Sequence, residues 1–201
     1  MTTLRAEMTK EDSTFLPLSD EDVVSSGYGF PEEDARRQYS SMVQNRLNAY
    51  CNIEENVKIN NLDLSFFATM MRHNERYFLT KKNTLYAYNE FEYFLLLQKD
   101  SASLEEIKRI VEQFEALADD HVKPDDQHKS SDYCLIIQVP RIDSDVERYI
   151  KRYKRRKALK WSLQGYLSTR LILVEGNGER AVFSRELSPK TYRFVLMNPG
   201  N

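Results

Sequence analysis

The spacing of apolar positions changes period along the chain, and each change marks an expected element. Tyr39, Met42, Val43, Leu47 and Tyr50 recur three or four residues apart, which places them on one face of a helix. Pro31 stands before them, followed by Glu32, Glu33 and Asp34. Proline suits a first helical turn, and acids there meet the positive end of the helix dipole. A helix is therefore expected from Pro31 to near Cys51-Asn52. From Ile53 to Lys99 the chain turns rich in Phe, Tyr, Thr and Val, residues that favour strands. INNLD, RHNER, KKN and YNEF read as turns between them. The expectation is an antiparallel meander with strands near 53–60, 62–71, 75–82 and 91–98, and TLYAY as an edge or connector.

The stretch SLEEIKRIVEQFEALADD restores the helical period. Ser103 and Glu106 have the spacing of a capping box, and Leu104, Ile107, Val111, Phe114 and Leu117 form its buried stripe. A polar loop, HVKPDDQHKSS, leads to DYCLIIQVP. That run is continuously apolar and too short for most helices, so it reads as a central strand covered on both faces. Ser144 and Glu147 mark another helix start, with Val146, Tyr149, Ile150 and Tyr153 turned inward. ALKWSLQGYL fits either a strand or a continued helix. TRLILVEGNGERAVFSR reads as a hairpin turning at Gly176-Asn177-Gly178, and SPKTYRFVL as a closing short helix. The sum is a single α+β domain over 31–201, with about three helices on a mixed, largely antiparallel sheet. The sheet comprises the meander, the central strand and a C-terminal hairpin.

Composition narrows the class. At 201 residues, with 41% hydrophobic and 30% charged residues, the chain suits a soluble domain whose core needs no disulfide or metal. The net charge of −2 gives no overall field favouring nucleic acid or membrane. The start, MTTLRAEMTKEDSTF, has no basic region followed by an apolar run, and no apolar run is long enough to span a bilayer. Cys51 and Cys134 lack metal or redox spacing and read as reduced, buried thiols of a cytoplasmic protein. Up to Asp34 there are nine acids and two bases. Residues 1–30 are expected to be a flexible acidic leader.

Candidate chemistry is sparse. His73, His121 and His128 form no ligand motif with one another. The group Asp119, Asp120, His121, Asp125, Asp126 and His128 has the right atoms for a cation, but Asp-rich loops are ordinarily solvated turns. No phosphate loop, dinucleotide fingerprint or nucleophile elbow occurs. No catalytic residue, metal or cofactor is therefore assigned; the reading leans to a non-enzymatic domain, with an enzyme whose site carries no recognised motif as the further alternative. The order helix, three-strand meander, helix, strand resembles the core of restriction-endonuclease-like nucleases. That family needs an Asp on its second strand and an acid-x-Lys on its third. Here the third offers Leu97-Gln98-Lys99.

The densest charge is RYIKRYKRRKALKW, with eight Lys or Arg and no acid. A helix over 144–157 would place Arg148, Lys151, Arg152 and Arg155 on one face, with Arg156 beside them. Asp143, Asp145 and Glu147 precede these bases, as a helix dipole favours. The surplus charge makes the five an anion or partner site. The leading expectation is a binding or protein-interaction domain, with a protein partner or a second copy of the chain. The alternative is nucleic acid or another anionic ligand on the basic helix, and no membrane partner is expected. The acidic leader is a further, internal counterpart of the basic stretch.

From Tyr39 onward, NRLNAYCNIEENVKINNLDLSFFATMMRHNERYFL, SSDYCLIIQVP and LKWSLQGYLSTRLILV resemble a family of uncharacterised archaeal proteins of similar length. Salt-loving members of that family are far more acidic than this chain. The resemblance implies an archaeal, cytoplasmic protein, and carries over no activity and no functional residue.

Overall fold

The computed structural model describes residues 32–77, 84–185, 187 and 192–196. The expected acidic leader and the KKN turn lie outside them. The elements are α1 (Glu32–Leu47), β1 (Asn52–Ile59), β2 (Leu62–Tyr77), β3 (Thr84–Gln98), α2 (Leu104–His121), β4 (His128–Val139), α3 (Ser144–Arg152), β5 (Arg155–Ala158), β6 (Tyr166–Glu175) and β7 (Arg180–Phe183). Short 3-10 turns occupy Lys160–Ser162 and Arg193–Val195. The sheet order is β1-β2-β3-β4-β6-β5, with β7 also paired to β6. β1, β2 and β3 form an antiparallel meander. β3, β4 and β6 run parallel to one another, and β5 and β7 run antiparallel to β6. The fold is an open α+β sheet, mixed and mostly antiparallel. Among the described residues no helix is long and apolar enough to cross a membrane.

β4 is central because its sequence gives it two apolar faces. Tyr133, Leu135 and Ile137 pack into one core with α2 and α3. Cys134 and Ile136 pack into the other with α1 and the Tyr192–Val195 segment. Parallel strands covered on both sides require such runs. Into the first of these cores α2 buries Ile107, Ile110, Val111, Phe114, Leu117 and Ala118. Its start is the expected one, since the Glu106 amide donates to Ser103 Oγ at 3.2 Å. Across the other face, the fully buried Tyr39 hydroxyl donates to the Val195 carbonyl at 2.9 Å. Arg46 Nη1 donates to the Leu196 carbonyl at 2.6 Å and the Phe194 carbonyl at 3.1 Å. These bonds fix the C-terminal segment onto α1.

Several expected boundaries move, each for a physical reason. α1 ends at Leu47, ahead of Cys51, where a turn leads directly into β1. RHNER and YNEF are not turns, and no separate strand starts at 75. Arg72, His73 and Asn74 stand opposite Glu90, Asn89 and Tyr88 in one long β2–β3 ladder. Their polarity serves cross-strand bonds: His73 Nδ1 lies 2.7 Å from Asn89 Oδ1, and Asn74 Nδ2 donates to Glu90 Oε2 at 3.2 Å. TLYAY is likewise the beginning of β3. Asp143, one residue before the expected Ser144, occupies the N-cap of α3 and makes no side-chain cap bond. Within 158–166 neither a strand nor a helix continues. Ala158 ends β5, a 3-10 turn follows, and β6 starts at Tyr166.

Candidate functional site at the junction of two edge strands

The basic stretch is not one helix. α3 stops at Arg152, and Tyr153 is already extended, with φ −62° and ψ 134°. Tyr153 is held there from the side. Its hydroxyl donates to Glu115 Oε1 at 2.8 Å on α2, which leaves Thr169 Oγ1, 2.6 Å away on β6, as the donor to Tyr153 Oη. Arg155–Ala158 then adds a strand to β6. The expected helix over 144–157 thus gives way to pairing, because β6 offers a free edge where the helix would have run on into solvent.

That edge of β6 is shared. β5 pairs with residues 166–169 and β7 with residues 172–175. Between the two strands Ser184 completes the ladder. Its amide donates to the Leu171 carbonyl at 2.9 Å, and its Oγ accepts from the Leu171 amide at 3.0 Å. The Arg185 amide donates to the Tyr153 carbonyl at 3.0 Å and ties the two strand ends together. At this junction lies a pocket of about 60 Å³, lined by Lys154, Arg155, Arg156, Arg170 and Arg185 together with Tyr166, Ser168 and Thr169; the Ser168 hydroxyl itself donates to Asp132 Oδ1. Among the described residues no carboxylate lines it.

The cations are held from behind. Arg155 Nη2 donates to Asp119 Oδ2 at 2.8 Å, and its Nε lies 3.4 Å from Glu115 Oε2. Burial opposes charge on both Asp119 and Arg155, yet the pairing wins. Asp119 is held below the usual carboxylate range by Arg155 and Lys157, and Arg155 is held protonated by Asp119 and Glu115. Arg155 Nη1 is buried without a hydrogen-bond partner among the described residues. Arg170 crosses to the other face of the sheet, where Nη2 lies 3.0 Å from Asp132 Oδ1 and Nη1 donates to Tyr192 Oη at 2.8 Å. The Arg156 guanidinium lies over the Tyr166 ring at 3.7 Å, a cation–π contact. Arg185 is exposed.

Of the five residues expected to form a basic face, only Arg155 and Arg156 line this pocket. Arg148 and Lys151 stay on α3, paired with Asp145 at 2.9 Å and Glu147 at 2.6 Å. Arg152 sits exposed at the helix end. Lys154, Arg170 and Arg185 were missed. Arg170 carries a usable signal, as the one charge inside the apolar run of β6. Nothing local marks Arg185, which reaches the site through the β6–β7 hairpin.

Elsewhere, partners within the protein account for the candidate groups. The aspartates and histidines between Asp119 and His128 do not gather. Asp119 serves Arg155, and His121 Nδ1 accepts or shares the Tyr133 hydroxyl proton at 2.7 Å. Asp125 accepts from the Gln127 amide at 2.9 Å. His128 Nδ1 donates to the Gln164 carbonyl at 2.6 Å, so its Nε2 faces Ser131 Oγ at 2.9 Å. This resembles a nucleophile–base pair, but Ser131 is 1% exposed and the bond closes a buried imidazole. Among the described residues no three His, Cys, Asp or Glu side chains could hold a metal. In the nuclease-like motif the place of the acid is held by Leu97, which is buried in the core, and Lys99 pairs with Glu106 at 2.9 Å. Both cysteines are free, and burial raises the thiol of Cys134 to about 12.

None of the curated proteins and none of the solved structures matches the chain. A family model does, over residues 35–192, from the second turn of α1 to the last segment packed on it. The matched span holds every strand of the described residues and the whole cationic junction, and the chain belongs to the family described as a domain of unknown function, DUF8052.

Proposed function

We propose that the domain binds phosphate-bearing ligands in the pocket between β5 and β7. One observation carries the reading: five cationic residues, Lys154, Arg155, Arg156, Arg170 and Arg185, gather at one pocket that no carboxylate lines among the described residues. Guanidinium groups recognise phosphate through paired, charge-assisted hydrogen bonds. The arrangement is also prepared in advance. Arg155 and Arg170 are anchored by acids lying outside the pocket, so little side-chain freedom is lost on binding. Arg155 Nη1, a buried donor with no acceptor among the described residues, is the sort of group a ligand oxygen satisfies. This reading keeps the domain a binding module and moves its site from the α3 face to the strand junction. We further read the protein as cytoplasmic and of archaeal origin, on its free thiols and on the family resemblance of its sequence. Its acidic leader would compete for the same cations.

Isothermal titration of the full chain with pyrophosphate at low salt tests the site. Arg156 and Arg185 are exposed, so an Arg156→Ser/Arg185→Ser double variant should keep the fold. Wild type should bind with an affinity that falls as salt rises, and the double variant should bind at least ~10-fold more weakly. Equal binding by the two proteins, or no binding by wild type, would overturn the reading.

A further inference from the structure

The turn after β5 holds a tryptophan out of the protein. Trp161 is 96% exposed and Leu163 is 83% exposed. The backbone beneath them is strained, with φ of 41° at Lys160 and 58° at Trp161, the left-handed region that L-residues enter at a cost. It is also locked. The Leu159 amide donates to the Gly165 carbonyl at 2.9 Å, and the Leu163 amide to the Lys160 carbonyl at 3.1 Å. Gly165, at φ 74°, passes so close to β4 that a Cβ there would stand 2.1 Å from the Lys129 carbonyl oxygen. A fixed, strained frame thus presents a large aromatic ring that packs on nothing.

We infer that the cationic junction takes single-stranded nucleic acid, with a backbone phosphate in the pocket and a base stacked on Trp161. The inference rests on the phosphate-binding reading and supplies its ligand class. β5, whose four residues span roughly 13 Å, runs from the pocket to the turn that carries the ring. Lys157 and Lys160 lie between them in sequence. Such a combination of a cationic track with an exposed aromatic is how proteins hold unpaired strands. A paired duplex offers no free base face to the ring. An anionic lipid surface fits less well. Asp126 Oδ1 lies 3.4 Å from Gln164 Nε2 beside the same turn, and Asp119 pairs with Lys157 at 3.3 Å. A flat anionic sheet would meet both acids together with the cations, whereas a strand following β5 meets only Asp119, which Arg155 and Lys157 already pair.

Trp161 is the single tryptophan of the chain, so its emission reports this site alone. The full protein at low salt is titrated with a short oligothymidylate, with the same oligomer made abasic, with pyrophosphate, and with phosphatidylglycerol vesicles. Binding of labelled oligomers is followed by polarisation. The oligothymidylate should quench Trp161 emission, and the abasic oligomer should bind more weakly and quench little. Trp161→Ala should weaken oligothymidylate binding roughly 10-fold, and Trp161→Phe should restore most of the loss. Equal binding of the two oligomers, or Trp161→Ala binding like wild type, overturns the inference. So does emission that shifts blue with vesicles but does not respond to the oligomer, which would assign the turn to a lipid surface. If pyrophosphate binds and the oligomers behave alike, only the nucleic-acid step falls. If pyrophosphate does not bind, the pocket reading itself has failed.

Discussion

Gly165→Ala should unseat the turn that carries Trp161, and Gly176→Ala provides its control. Both glycines have positive φ, 74° and 55°, but a Cβ on Gly176 meets nothing within 4 Å, whereas one on Gly165 stands 2.1 Å from a backbone oxygen. The left-handed conformation costs an L-residue about 1–2 kcal/mol, partly offset by about 0.4–1 kcal/mol from a less flexible unfolded chain. Gly176→Ala should therefore lose no more than about 1.6 kcal/mol. Gly165→Ala has the same balance plus a clash with backbone. The oxygen belongs to Lys129, at the start of β4, and cannot turn aside as a flexible side chain would. Overpacking of this kind adds about 1–3 kcal/mol. For a domain of this size each kcal/mol moves Tm by about 2–4 °C. Differential scanning calorimetry of the three proteins should show Gly176→Ala within a few degrees of wild type and Gly165→Ala well below it. Equal Tm values for the two variants would refute the close approach of the turn to β4.

Tyr39→Phe removes the buried bond to the Val195 carbonyl and should cost about 1–2 kcal/mol in urea denaturation; an unchanged midpoint would show that the C-terminal segment is not tied to α1 through it. Burial, and then Lys123, lower the pKa of His121 below the ordinary histidine value of 6.5. Below that pH the unfolded chain takes up a proton that the folded one resists, so stability is complete above it and falls as pH drops. The Tm gap between wild type and His121→Gln should accordingly shrink from about pH 7.5 to about pH 5.5, and a constant gap would contradict this. Arg155→Met leaves Glu115 and Asp119 without their guanidinium. Arg155 is 21% exposed, so the loss should be about 1–3 kcal/mol, less than for a fully buried pair; no change in Tm would count against Arg155 as a pre-set anchor.

The core elements were legible because their patterns are local. The stripe and the Ser103 cap of α2 lie within a few residues of one another, and β4 shows its two-sided burial in one unbroken apolar run. The failures have a common cause, which is that polar residues were read against their neighbours in sequence. Arg72, His73 and Asn74 look like a turn until Glu90 and Asn89 stand opposite them. The end of α3 has no glycine or proline to announce it. Glu115, Thr169 and the free edge of β6 impose it, and all of them are distant in the chain. The candidate site was half visible for the same reason. Arg155 and Arg156 lie inside a conspicuous basic run, whereas Arg170 and Arg185 join them only once β6 and β7 are paired.

Locating the bound anion tests the central claim most directly. Crystals of the full protein soaked in tungstate, a tetrahedral oxyanion with strong anomalous scattering, should show a peak between β5 and β7. An oxygen of that anion should lie about 3 Å from Arg155 Nη1, with Arg156 and Arg185 closing on it. A peak on the α3 face near Arg148 and Lys151, or an empty junction in crystals that hold tungstate elsewhere, would contradict the account.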